Sequence, residues 1–136
     1  LRQNIVKKGD YTLIIDCYNA SPDSMKATLD VLSGMKSGGR KIAVLGDMLE
    51  LGNESEKLHR VVGRYVCNAK PDMLFCFGKE AEYIKDEAEK SGITSYYTSD
   101  KDDLKEKLKS SIKSGDIILF KASRGMKLED IVNSIF

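Results

Sequence analysis

The chain is 136 residues long, enough for one hydrophobic core and too short for two. Hydrophobic residues make up 41% and charged ones 32%, a balance that excludes a disordered or fibrous chain and fits a soluble globular domain. Lys plus Arg number 22 against 21 acidic residues, so the net charge of +1 argues against nucleic acid or an anionic membrane as partner, since counterion release needs a positive excess on one face.

Leu1 to Lys8 carry no signal-peptide pattern, and no apolar run downstream is long enough to cross a bilayer. The cytoplasm is the compartment this suggests. Leu1 stands where a start methionine would, so the chain reads as a fragment or a processed chain. The polar stretch Gln3 to Lys8, followed by Gly9-Asp10, predicts a hairpin onto a short β-branched strand from Thr12 to Ile15 that ends in Asp16. Ser21-Pro22 is an N-cap followed by proline at the first helical position; Met25, Leu29 and Leu32 then repeat at helical spacing until Gly34 or Gly38.

Ile42 to Leu45 predicts a second buried strand closed by Gly46. Leu58, Val61, Val62, Tyr65, Val66 and Ala69 trace one face of a helix stopped by Pro71. Met73 to Phe77 predicts a third strand, and a shorter helix runs from about Glu80 to Lys90. Ser95 to Thr98 is a weak strand, and Ser99 or Asp100 caps a charged helix carrying Leu104, Leu108 and Ile112. Ile117 to Phe120 is the last strand, and Leu128, Ile131, Val132 and Ile135 mark a final helix. Strands without polar alternation are covered on both faces. The expectation is a doubly wound, Rossmann-like α/β fold: a mostly parallel sheet, helices on both faces and an N-terminal hairpin, in one domain over residues 1–136.

In such sheets ligands bind beyond the carboxyl ends of the strands. Three loops predicted there hold the unusual residues: Asp16 to Ser24, Gly46 to Gly52 and Lys121 to Lys127. Lys121, Ser123 and Arg124 place two cations and a hydroxyl at a helix entrance, which suits a carboxylate or phosphate, though a solvated turn would look the same. Asp16 could instead receive N–H bonds in a tight turn, and Ser21-Pro22-Asp23 could serve only as a helix start. Leu49 and Leu51 sit in a loop, where leucines usually pack against something. His59 reads as lying on the polar side of a helix start, a surface or supporting residue rather than a metal ligand.

The three cysteines, Cys17, Cys67 and Cys76, show no metal-type spacing, and Cys67 and Cys76 read as small core residues. There is no Gly-x-x-x-x-Gly-Lys-Ser/Thr phosphate loop, no Gly-x-Gly-x-x-Gly fingerprint, no nucleophile elbow and no Cys–His pair. No metal site and no catalytic group are therefore expected in this domain alone. Catalysis would need residues from outside the chain.

The segments Asp-Cys-Tyr-Asn-Ala-Ser-Pro-Asp-Ser-Met (16–25), Val-Leu-Gly-Asp-Met-Leu-Glu-Leu-Gly (44–52) with His59 following, and Lys-Ala-Ser-Arg-Gly-Met (121–126) resemble the C-terminal domain of Mur ligases. The wording of the first two is that of the branch that adds D-alanyl-D-alanine to UDP-N-acetylmuramoyl-tripeptide. The similarity runs in order through essentially all 136 residues; the family form of the third motif usually has glycine where Ala122 stands. The resemblance implies a three-domain, ATP-dependent enzyme. Its first domain grips the UDP-sugar peptide, its central domain carries the phosphate loop, the magnesium sites and a modified lysine, and its third, Rossmann-like domain closes over both. ATP and Mg would be bound mainly by the central domain, which with the N-terminal domain is absent from this chain.

The reaction so implied phosphorylates the precursor's terminal carboxylate to an acyl phosphate, which the amine of D-alanyl-D-alanine attacks. By the same resemblance Arg2 reaches the nucleotide phosphates, Asp16 contacts the ribose, and Tyr18 and Asn19 shape the adenine–ribose side. Lys121, Ser123 and Arg124 would hold the dipeptide carboxylate, and Asp47 and His59 belong to the site loop without a defined role. The isolated domain would fold but not catalyse. Two rival readings are the equivalent domain of another Mur-like amide ligase and a free-standing receiver-like binding module. The receiver needs an aspartate at the end of the third predicted strand, where Phe77-Gly78 stands, and clustered acids after the first, where only Asp16 does.

Overall fold

The computed structural model describes residues 4–17, 19–36 and 38–136. Strand β1 (Asn4–Lys8) turns back antiparallel onto β2 (Tyr11–Asp16), with Ile5 opposite Ile14. The remaining strands, β3 (Lys41–Gly46), β4 (Met73–Phe77), β5 (Thr94–Thr98) and β6 (Ile117–Lys121), run parallel to β2, in the order β1-β2-β6-β3-β4-β5. The last strand is thus inserted between the second and third. Asp16 is in register with Lys121, and Lys121 with Leu45, so these strands end together at one edge.

The period of two in the strands decides which helices cover which face. Ile14, Ala43, Leu45, Leu74, Cys76, Ile117 and Leu119 pack with α1 (Pro22–Gly34), α2 (Ser55–Ala69) and α3 (Glu82–Glu89). Their alternates, Leu13, Ile42, Val44, Phe75, Phe77, Ile118 and Phe120, pack with α4 (Lys101–Ser111) and α5 (Leu128–Ile135). Both faces are apolar, which is why the central strands show no polar alternation. The expected layered α/β fold is the observed one.

Local chemistry sets the helix ends. Ser21 and Ser24 form a reciprocal capping box that spans Pro22, and α1 stops at Gly34 rather than Gly38. Asp100, not Ser99, caps α4 by accepting from the N–H groups of Asp102 and Asp103. Lys70 ends α2 in a left-handed conformation just before Pro71. No described helix is long and apolar enough to cross a membrane.

Between α2 and α3 the nearly buried carboxylate of Glu87 takes Lys90 at 2.8 Å, Arg60 at 3.0 Å and Arg64 at 3.3 Å. The hydrogen bond from Lys90, then that from Arg60, holds its pKa below the usual carboxylate value against the opposing effect of burial. A depressed folded pKa gives stability that is present above the unfolded value and lost as pH falls through the folded one. Urea midpoints should therefore drop as pH is lowered below about 4.3, the ordinary glutamate value, and Glu87→Gln should flatten that slope. An unchanged slope in the variant would remove Glu87 from the acid response. Cys67, expected in the core, is half-buried beside this cluster, its thiol donating to the Glu87 carbonyl at 3.5 Å.

Candidate functional site

Strand β6 is followed by a helix on one face of the sheet, while its neighbours β2 and β3 are followed by helices on the other. The chain parts in opposite directions from adjacent strand ends, and this opens a crevice at the carboxyl edge. There Asn19, Leu49, Glu50, Ser123, Arg124 and Gly125 line a cleft of about 170 Å3. All three loops singled out in the sequence contribute to it.

At its base, Asp16 and Lys121 form an ion pair at 2.9 Å, with side chains 3% and 1% exposed. Lys121 Nζ also donates to the backbone carbonyl of Asn19, which fixes the loop after β2 to the end of β6. The expectation of two cations at the helix entrance is thus corrected. The register of β6 beside β2 turns Lys121 inward to neutralise Asp16, and Arg124 is the cation that lines the cleft. Asp16 Oδ2 faces Lys121 but accepts no hydrogen bond of good geometry among the described residues.

The loop after β3 is strapped from two sides. Ser123 donates its N–H to the Asp47 carbonyl at 3.1 Å and accepts the Leu49 N–H on Oγ at 2.8 Å. His59 accepts the Met48 N–H on Nε2 at 3.0 Å and meets the Ser55 carbonyl with Nδ1 at 2.7 Å. A backbone N–H can only donate and a carbonyl only accept, so these partners fix a neutral ring carrying its proton on Nδ1. The reading of His59 as a polar-face residue is overturned: it is fully buried, on the same stripe as Val62, Gly63 and Val66, because the loop folds over the start of α2 and brings the Met48 N–H to its ring.

Asp47 is buried as well. Its carboxylate accepts the N–H groups of Lys79, Glu80 and Ala81 at 2.9, 3.0 and 2.8 Å, which fills the backbone anion cradle ahead of α3 with an acid of the chain itself. Leu51, half-buried, packs against the core, whereas Leu49 stays 43% exposed. Opposite Ala122, a Cβ on Gly46 would come within 2.7 Å of the alanine Cβ, so the two positions share one small space and Gly46 yields it. Arg2 and Tyr18, expected at the nucleotide, lie outside the described residues.

Among the described residues no activated nucleophile faces the cleft. The Cys17 thiol donates to the Phe120 carbonyl, and burial, aided by Glu129 and Asp16, pushes its pKa up to about 12. Nor does the donor set fit magnesium: no three His, Cys, Asp or Glu side chains cluster among the described residues, and the two loop aspartates are taken by Lys121 and by backbone N–H groups. What remains is a small polar cleft with a cation, a hydroxyl and an apolar wall.

The chain belongs to the Mur ligase family, its residues 1–124 matching the model of the Mur ligase, glutamate ligase domain. It is 43% identical over 140 aligned positions to the UDP-N-acetylmuramoyl-tripeptide–D-alanyl-D-alanine ligase of Bacillus subtilis strain 168, covering 99% of this chain and 30% of that protein. Among solved structures it is similar to MurF from Acinetobacter baumannii (crystal structure II; TM-score 0.86, 28% identity, 97% of this chain and 29% of that one). It is also similar to MurF ligase from Thermotoga maritima in complex with ADP (TM-score 0.78, 29% identity, with the same coverage of both chains). The chain spans about 30% of the length of these relatives.

Proposed function

We propose that this chain is the C-terminal domain of an ATP-dependent ligase that joins D-alanyl-D-alanine to UDP-N-acetylmuramoyl-tripeptide, and that its cleft receives the dipeptide. The observation that carries this reading is the convergence of three loops on one cleft that holds Arg124 and Ser123, in a chain 43% identical along its length to a ligase of that name. N-terminal and central domains of the same enzyme would supply the phosphate loop and magnesium, and the bacterial cytoplasm is where ATP and these precursors meet.

A carboxylate resists attack until one of its oxygens becomes a phosphate leaving group, and the amine must then be held close and aligned. This chain's part is that alignment. The Arg124 guanidinium suits the dipeptide carboxylate as a planar, charged donor. Ser123 Oγ already accepts from Leu49, so its O–H is left to donate into the cleft. Lys121 acts at one remove, holding Asn19 through its carbonyl. On the nucleotide side Asn19 is exposed, while Asp16 lies buried against Lys121 and acts there by holding the loop after β2 through it. Closure of the domain would exclude water that hydrolyses an acyl phosphate.

In the ligase carrying this domain, Arg124→Ala should raise the KM for D-alanyl-D-alanine about tenfold or more and leave that for ATP near its starting value. Asp16→Asn should shift the ATP term instead. Steady-state kinetics with each substrate varied in turn decide the matter, and the reverse pattern would overturn both assignments.

A further inference from the structure

Glu50 lies between the two strapped amides and Gly52, at φ 64, in the left-handed region that a residue with a Cβ enters at a cost. Gly52 holds a similar backbone, φ 57, without that cost. The Glu50 side chain is exposed, lines the cleft, and has no hydrogen bond or ion pair among the described residues. The fold therefore gains nothing from a carboxylate there, and a strained residue in a binding cleft points to a ligand.

The cleft thus carries an acid, Glu50, and a cation, Arg124, with Leu49, the residue before Glu50, as its apolar wall. Leu49 lies over Gly125, where an added Cβ would come within 2.9 Å of its Cδ1, so the wall is seated on glycine backbone. A volume of about 170 Å3 is well below the roughly 300–1,000 Å3 of pockets for drug-sized ligands. That size fits a dipeptide with methyl side chains and not a nucleotide.

We infer that Glu50 is the subsite for the ammonium group of the incoming dipeptide, with Leu49 packing on its methyl groups and Arg124 on its carboxylate. This inference rests on the ligase reading above. Complementary charges at the two ends of a zwitterion set its direction in the cleft, so the amine rather than the carboxylate is presented for reaction. A like-charged or blocked amine would leave the Glu50 carboxylate unpaired at closure, which selects for a free N-terminus.

The test uses this chain labelled with 15N and titrated with D-alanyl-D-alanine and, separately, with N-acetyl-D-alanyl-D-alanine, which lacks the ammonium. The unmodified chain should prefer the free dipeptide by about tenfold, the worth of one charge-assisted hydrogen bond. Glu50→Gln and Glu50→Gly should bind both ligands alike, and Glu50→Gly should melt no lower than the parent because the left-handed backbone suits glycine. A preference for the free amine that survives in both variants would place the ammonium elsewhere and overturn the inference, as would equal binding of both ligands by the parent. Absence of binding to either ligand would overturn the dipeptide cleft itself, and this assignment with it.

Discussion

Lys121→Ala should cost this chain about 3–5 kcal/mol of folding stability, the penalty of stranding one member of a buried ion pair. Asp16 and Lys121 lie at the carboxyl ends of two adjacent parallel strands with almost no exposed side-chain surface, so water cannot take over the solvation of Asp16 when its partner goes. The double variant Asp16→Leu/Lys121→Met should recover most of the loss, because it removes both desolvated charges and fills the same space with apolar atoms. Urea unfolding of the two single variants and the double gives the full cycle. A single-variant loss of about 1 kcal/mol or less, the range of an exposed pair, would show that solvent reaches the site.

Asp47→Ala ranks second, with an expected loss of about 3 kcal/mol or more from removing charge-assisted hydrogen bonds and leaving buried donors unsatisfied. The N–H groups of Lys79, Glu80 and Ala81 would lose their acceptor together. Gly78, at φ 131, leaves the carboxylate room that any Cβ would take, so the cradle is shaped to this one acid. Asp47→Asn keeps one acceptor oxygen and should retain part of the stability. Amide exchange at Ala81 should quicken in the alanine variant well before global unfolding; a midpoint within about 0.5 kcal/mol of the parent, the span of neutral surface changes, would mean that the cradle is solvated.

The elements were legible in the sequence because each is written locally. Met25, Leu29 and Leu32 repeat at helical spacing, Ile42 to Leu45 is a short apolar run closed by glycine, and Ser21-Pro22 is a helix start. The insertion of β6 between β2 and β3 has no local signature, since pairing across a hundred residues leaves no mark in the periodicity of either strand. The same gap explains the site residues that were misplaced. His59 is polar and sits near a helix start, so pattern reading puts it in solvent; its burial depends on Met48 N–H arriving from a loop eleven positions upstream. Lys121 looks like a ligand cation until the register of β6 sets it beside Asp16. Glu50 passes as one more loop acid, and only its backbone angle and lack of a partner bring it forward.

The paired bonds of Ser123 to Asp47 and Leu49 make the loops of two strands into a single plate, with His59 as a third fastening beneath it. A ligand that arrives there meets a surface whose shape is already set, and is spared much of the roughly 0.5–1.5 kcal/mol that each side chain ordered on binding would otherwise consume. On the proposed reading recognition and movement would thereby be separated: the cleft would not wrap around its guest, and a hinge outside it would swing a finished half-site into place.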